Sequence, residues 1–189
     1  MTLMLKKAEL SGDLAAEVEA RSVTNLSSCV QCKKCSAGCP LSGYSDLMPH
    51  ELVRLVQFGQ SAEVLQSRMI WQCTSCQTCS TRCPQQVDIC SMNDGLRRMS
   101  RERAVANDAS TLPAFNDSFL ASVCKHGRVY EVGLMASYKL RTLRLFEDMG
   151  KLPLMLKKQK LRLIPSTVAG RNERRRLWKR AQLLRGKRP

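Results

Sequence analysis

The sequence predicts an all-α protein, and three observations carry that expectation. Two cysteine runs share one pattern, C-x2-C-x2-C-x3-C-P, at Cys29, Cys32, Cys35, Cys39 and Pro40 and again at Cys73, Cys76, Cys79, Cys83 and Pro84. The segment between them places its apolar residues at helical intervals, not in the alternation of a strand. Beyond Pro84 the apolar residues again recur in steps of three and four, with glycines where helices would stop.

Taken in order, residues 1–24 read as a lead-in. Asp13 to Arg21 favours a short helix, with Ser11 in position to cap it. Residues 25–110 form the domain built on the two runs. Within it Pro49 suits a first helical position, Leu52, Val53, Leu55 and Val56 make an apolar stripe, and Gly59 ends it. A second short helix is expected from Ala62 to Ser67, after which Met69, Ile70 and Trp71 deliver the chain to Cys73. His50 lies on the Pro49 helix and reads as a surface or packing residue. A helix from Ser91 to Asn107 follows, with Arg97, Arg98, Arg101, Glu102 and Arg103 on a charged face that is solvated or meets a partner. Residues 111–150 read as a pair of helices. The first runs from Pro113 to about His126, stopped by Gly127, where His126 suits the negative end of the helix dipole. The second runs from Val132 to Met149, packing Met135, Tyr138, Thr142, Leu145 and Met149 onto the first. Cys90 and Cys124, outside the runs, read as small buried hydrophobes. Residues 151–189 read as a basic arm: an extended stretch between Pro153 and Pro165, then a basic helix from Asn172 to Arg185 with Leu177, Ala181 and Leu184 along one side and Trp178 adjacent.

The spacing of the runs is that of bacterial proteins holding cuboidal [4Fe–4S] clusters, in which the fourth cysteine of one run ligates the other cluster. Three cysteines at x2 intervals wrap three corners of a cube, and the proline after the fourth steers the chain away. Cluster I is therefore expected on Cys29, Cys32, Cys35 and Cys83, and cluster II on Cys73, Cys76, Cys79 and Cys39. Structural zinc favours cysteine or histidine pairs with a longer insert. A disulfide framework suits secreted chains, and residues 1–15 have the charges Lys6, Lys7, Glu9 and Asp13 where a signal peptide would be apolar. No apolar run reaches the ~18 residues needed to span a bilayer, so a cytoplasmic location is expected, where thiols stay reduced. Lys33, Lys34 and Arg82 lie within the loops and would favour reduced clusters. Ser36, Thr74, Ser75, Thr78 and Ser80 are candidate donors to sulfur.

Net charge is +15, unevenly placed. Residues 141–189 hold 16 Lys/Arg against 3 Asp/Glu, or +13, and residues 1–140 hold 15 against 13, or +2. An acidic protein subunit is the preferred partner of the arm. A membrane surface ranks next, and nucleic acid last, for want of a helix-turn-helix, zinc finger or aromatic-rich strand.

With both runs, the Pro49–Gly59 insert and the Ile70–Cys79 stretch laid out, the chain resembles the C-type subunit family of heterodisulfide reductase, more weakly so over Gly133 to Leu140. The resemblance covers roughly residues 25–150. Iron–sulfur subunits of succinate dehydrogenase and glycolate oxidase type share the cysteine runs. The resemblance implies an α-helical ferredoxin fold with two [4Fe–4S] clusters, relaying electrons between an A-type, flavin-containing subunit and a B-type, catalytic one. B-type proteins carry CCG repeats, which this sequence lacks, so a relay and not a catalyst is expected. The long basic tail points to a variant assembly such as the heterodisulfide reductase-like complex of sulfur oxidisers. The rivals are a nucleic-acid-binding protein with structural clusters and a succinate dehydrogenase-like subunit. The latter would need a [2Fe–2S] domain ahead of the runs, of which this sequence has no motif.

Overall fold

A short helix before the first cysteine run meets a long one after the second, and this pair frames the first unit. The computed structural model describes residues 14–105, 111–142 and 165–185, in two compact units lying within residues 1–110 and 111–188. Among the described residues every regular element is a helix.

In the first unit α1 spans Leu14–Ser22, α2 Lys34–Ala37, α3 Pro49–Gln57, α4 Ser61–Gln66, α5 Met69–Gln72, α6 Thr78–Thr81 and α7 Ile89–Glu102. Pro49 opens α3, and the Glu51 carboxylate accepts from the Met48 amide at 2.9 Å, satisfying a donor the helix itself leaves free. Leu52, Val53, Leu55 and Val56 are fully buried, each contributing about 2 kcal/mol through removal from water. Gly59 then takes φ +70, a left-handed turn that a side chain would oppose. Leu14 and Val18 of α1, Val64 and Leu65 of α4, Met69 and Ile70 of α5, and Met92, Leu96 and Met99 of α7 complete this core. Arg21 bridges Glu17 at 3.0 Å and Glu102 at 2.5 Å, tying α1 to the end of α7.

Asp46 holds the middle of the unit together. Its carboxylate accepts from the Arg68 and Met69 amides at 2.7 and 2.9 Å and from the Ser67 hydroxyl at 3.0 Å, closing the start of α5. Burial alone would raise its pKa. The two amides and the Ser45 and Ser67 hydroxyls outweigh that and hold it below the usual carboxylate value.

The expected Ser91–Asn107 helix is displaced. It begins at Ile89 because Asp88 caps it, accepting from the Ser91 amide at 3.1 Å, and ends at Glu102; residues 106 and 107 lie outside the described residues. Ser11, the arm from 151 to 164, and Leu145 and Met149 also lie outside them.

In the second unit α8 spans Thr111–His126, α9 Glu131–Thr142 and α10 Arg171–Arg185. Gly127 ends α8 at φ +77. Tyr138 meets Phe115 edge-on, ring centroids 5.7 Å apart, but the buried residue of α9 is Leu134, not Met135. On α10 Leu177 and Ala181 of the expected apolar side are exposed, Leu177 65% accessible. Trp178 turns inward instead, to a groove of about 460 Å³ that Cys124, Lys125, Arg171 and Arg175 also line. Cys124 is therefore half-buried at a groove, not a core residue.

Candidate metal centre

Both cysteine runs fold alike, and the backbone explains how. Gln31 and Lys33 of the first run take φ 54 and 63, and their counterparts Ser75 and Gln77 take φ 52 and 61. Each left-handed non-glycine residue costs about 1–2 kcal/mol, a cost that persists only where the surroundings dictate the conformation. Directly after Lys33 and Gln77, the single turns α2 and α6 carry Cys35 and Cys79. A left-handed residue abutting a right-handed turn points successive N–H groups to one side, the concavity that suits an anion.

The eight cysteines of the runs fall four and four. One cavity is lined by Cys29, Cys32, Cys35 and Cys83 together with His50, Val87 and Ile89. The other is lined by Cys73, Cys76, Cys79 and Cys39, with a fifth thiol, Cys90. Each cavity thus takes three cysteines from one run and the last from the other. Among the described residues no three His, Cys, Asp or Glu side chains close on a single ion-sized point; the thiols stand around cavities instead.

Polar groups reach the sulfurs on both sides. Gln31 Nε2 donates to Cys29 Sγ at 3.5 Å and to the His50 carbonyl at 3.1 Å. The Val87 amide donates to Cys83 Sγ at 3.3 Å. In the second cavity Thr78 Oγ1 lies 3.4 Å from Cys76 Sγ, and hydrogen bonds from Thr78 and Thr74 hold that thiol below its ordinary pKa. Burial pushes the Cys35 thiol up. Burial, then the neighbouring Cys90, pushes Cys79 up to about 12. Without metal both are neutral thiols, so metal binding here must expel protons.

The other candidate donors divide. Ser80 donates to Asp88 at 2.7 Å and Ser36 Oγ pairs with His50 Nδ1 at 2.7 Å, while Ser75 is exposed. Lys33 lines the first cavity and Lys34 is exposed. Arg82 lies over Gly38 so closely that a Cβ there would collide with it. His50, read from sequence as a packing residue, walls the first cavity; burial, then the Lys33 charge, keeps its pKa below the ordinary value against the opposing pull of Glu51. Cys90 is 2% exposed, as expected, but its Sγ stands 3.7 Å from Cys79 Sγ. Asn93 was not anticipated at all. It lines the second cavity, is 2% exposed, and neither its amide nitrogen nor its oxygen has a hydrogen-bond partner. An orphaned buried amide on a wall of thiols is what a sulfur-rich anionic group would satisfy, so the residues present fit iron–sulfur clusters.

Residues 13–88, which include every cysteine of both runs, match the model for the 4Fe-4S dicluster domain. The match covers about two fifths of the chain and marks this segment as similar to that family. The dicluster domain carries two [4Fe–4S] clusters. The chain is also similar to the C subunit of a ferredoxin:CoB-CoM heterodisulfide reductase of Methanosarcina acetivorans, 36% identical over 75 residues, 40% of this chain and 30% of that one. It is 29% identical over 106 residues to the C-type iron-sulfur subunit of the CoB–CoM heterodisulfide reductase of Methanopyrus kandleri, covering 56% and 55%. Against the C2 subunit of the H2/formate:CoB-CoM heterodisulfide,ferredoxin reductase of Methanococcus maripaludis it is 31% identical over 108 residues, covering 53% and 58%. The matches thus span between 30% and 58% of these relatives' own lengths. Among the described residues no helix is long and apolar enough to cross a membrane.

Proposed function

We propose that this chain is the electron-relay subunit of a heterodisulfide reductase-like complex. It passes single electrons between a flavin-containing subunit and one that carries out disulfide or thiol chemistry. Cluster I takes Cys29, Cys32, Cys35 and Cys83, and cluster II takes Cys73, Cys76, Cys79 and Cys39. The observation that carries this reading is the exchange of last cysteines between the two cavities. It staples the runs together, and Ile89 borders both cavities, so a single side chain's width lies between them. When bound, each cluster takes up and returns one electron, at a potential set by charge, hydrogen bonds to sulfur and solvent exposure.

The protein's own residues then do the rest. Pro40, Leu41, Pro49, Leu52, Met69 and Ile89 give cavity II its apolar lining. Gln31 and the Val87 amide hold the cavity I thiolates in place. The basic residues of α10 and the segment before it suit an acidic face of a partner protein, and the sulfur-oxidising form of the complex is the assembly we favour. Purification without oxygen, followed by iron and sulfide counting and electron paramagnetic resonance after reduction, tests the reading. About eight of each per chain, with two reducible paramagnets and co-purifying flavin and CCG-type subunits, is the expected result. Colourless or zinc-loaded protein overturns it.

A further inference from the structure

The two cavities are built on matched helix starts, and the match exposes where they differ. The Ser36 hydroxyl accepts from the amide of His50, second residue of α3, at 3.2 Å. The Ser80 hydroxyl accepts from the amide of Cys90, second residue of α7, at 3.4 Å. Ser36 and Ser80 each follow the third cysteine of their run, so His50 and Cys90 occupy equivalent places, as do Val53 and Asn93 one turn on. At cavity I the pair is a histidine bonded to Ser36 and a buried valine. At cavity II it is a thiol 3.7 Å from Cys79 Sγ and an amide with no protein partner.

We propose that Cys90 and Asn93 are tuning residues of cluster II: α7 presents an S–H and an N–H donor to that cluster alone, and together they raise its reduction potential. The inference rests on the two-cluster reading above and concerns the regulation of one of those clusters. A thiolate bound to iron has no proton left to give, so across the Cys79–Cys90 contact the Cys90 thiol donates and the Cys79 sulfur accepts. Asn93 has two N–H donors and is held in an apolar wall where water cannot compete for them. Reduction adds negative charge to the cluster, and fixed donors aimed at that charge stabilise the reduced form more than the oxidised one. Removing the donors therefore makes cluster II harder to reduce. Cluster I, whose matched positions offer no such pair, is left alone.

The test is a redox titration of the intact chain, followed by paramagnetic resonance, with iron and sulfide counted in every sample. Asn93→Leu and Cys90→Ala remove the donors, and Cys90→Ser restores an O–H at the same position. Should alanine shed iron, Cys90→Val fills the space without a donor and takes its place. Each donor-less variant is expected to lower the reduced-to-oxidised ratio of one cluster by threefold to tenfold at fixed potential, tenfold being about 59 mV for a one-electron couple. The other midpoint stays put, and Cys90→Ser remains within about twofold of the parent. If wild type shows eight irons and two midpoints, yet Asn93→Leu and Cys90→Ala leave both midpoints unmoved, the tuning role is overturned and the relay survives. Equal shifts in the serine and alanine variants, or in both clusters, also overturn it. A wild-type protein without two separately reducible clusters overturns both proposals.

Discussion

At the scale of single residues, the cysteines of the runs were legible because ligand spacing is a local property, written in consecutive letters. Cys35→Ala is expected to remove one corner of cluster I, at which no spare thiol stands, and to drop the count by about four irons per chain. A variant that keeps eight irons and both paramagnetic signals would refute the ligand assignment. Asp46 offers a second test, through pH. Asp46→Ala leaves the Arg68 and Met69 amides without their carboxylate and should cost about 2 kcal/mol. Asp46→Asn, which keeps one acceptor, should cost less. Because the folded pKa lies below the ordinary ~3.9, the unfolded chain binds the extra proton. The carboxylate's contribution is therefore complete above about pH 5 and is lost as the pH falls through the depressed value. Denaturant melts followed by circular dichroism should show the gap between wild type and Asp46→Asn narrowing as the pH falls from 5 to 3; a constant gap across that window would sink the cap. What could not be read from sequence was the company these residues keep. Cys90 lies eleven residues from Cys79 and Asn93 fourteen, and only the return of α7 across the second loop brings them to one wall. The same holds for His50, whose ring reaches Ser36 because α3 begins over the first loop.

At the scale of elements, the legible parts were those with a chemical stop or start. Pro49, Gly59 and Gly127 mark their boundaries in the structure as in the sequence. The start of α7 was missed by two residues because Asp88 was not recognised as a cap. On α9 Tyr138 of the expected face meets Phe115, but the side chain that is buried is Leu134, not the longer Met135. The short turns α2 and α6 carry no periodicity that a four-residue window could reveal; they follow from the left-handed residues ahead of them. Those residues can be tested directly. Ser75 is exposed at φ 52, so its substitution changes the backbone's preference with little loss of packing. Ser75→Val, β-branched and ill-suited to positive φ, should destabilise the holoprotein by about 1–2 kcal/mol and hasten cluster loss under air. Ser75→Gly should stay within about 0.5 kcal/mol, relief of strain offsetting the extra freedom of the unfolded chain. Equal behaviour of the two variants in aerobic bleaching and thermal melts would mean that the loop's shape is not set at this position.

At the scale of the whole molecule, charge and chemistry are segregated. Every cysteine of the runs lies in the unit within residues 1–110, while α10, with Arg171, Arg174, Arg175, Arg176, Lys179 and Arg180, belongs to the unit within 111–188. The charge asymmetry is written in the sequence, with a net +13 after residue 140. The sequence was silent on which face of α10 turns inward, since Trp178 and Leu177 are adjacent and equally apolar. A truncation exploits the segregation. Removing residues 171–189 takes away no thiol, no wall of either cavity and none of the core around α3 and α7, so the shortened chain should still hold eight irons and keep both midpoints within error. What it should lose is attachment. Exposed charges separated by more than the ~10 Å Debye length at 0.1 M salt are largely screened, so binding of the intact chain to an acidic partner protein should weaken steeply with added salt. The truncated chain should bind more weakly from the start and respond to salt far less. Pull-down from native extract across a salt series measures both. Loss of iron on truncation would show that the second unit supports the clusters after all. Loss of DNA or RNA retention with partner-protein binding intact would transfer the arm to nucleic acid and make the relay's docking surface lie elsewhere.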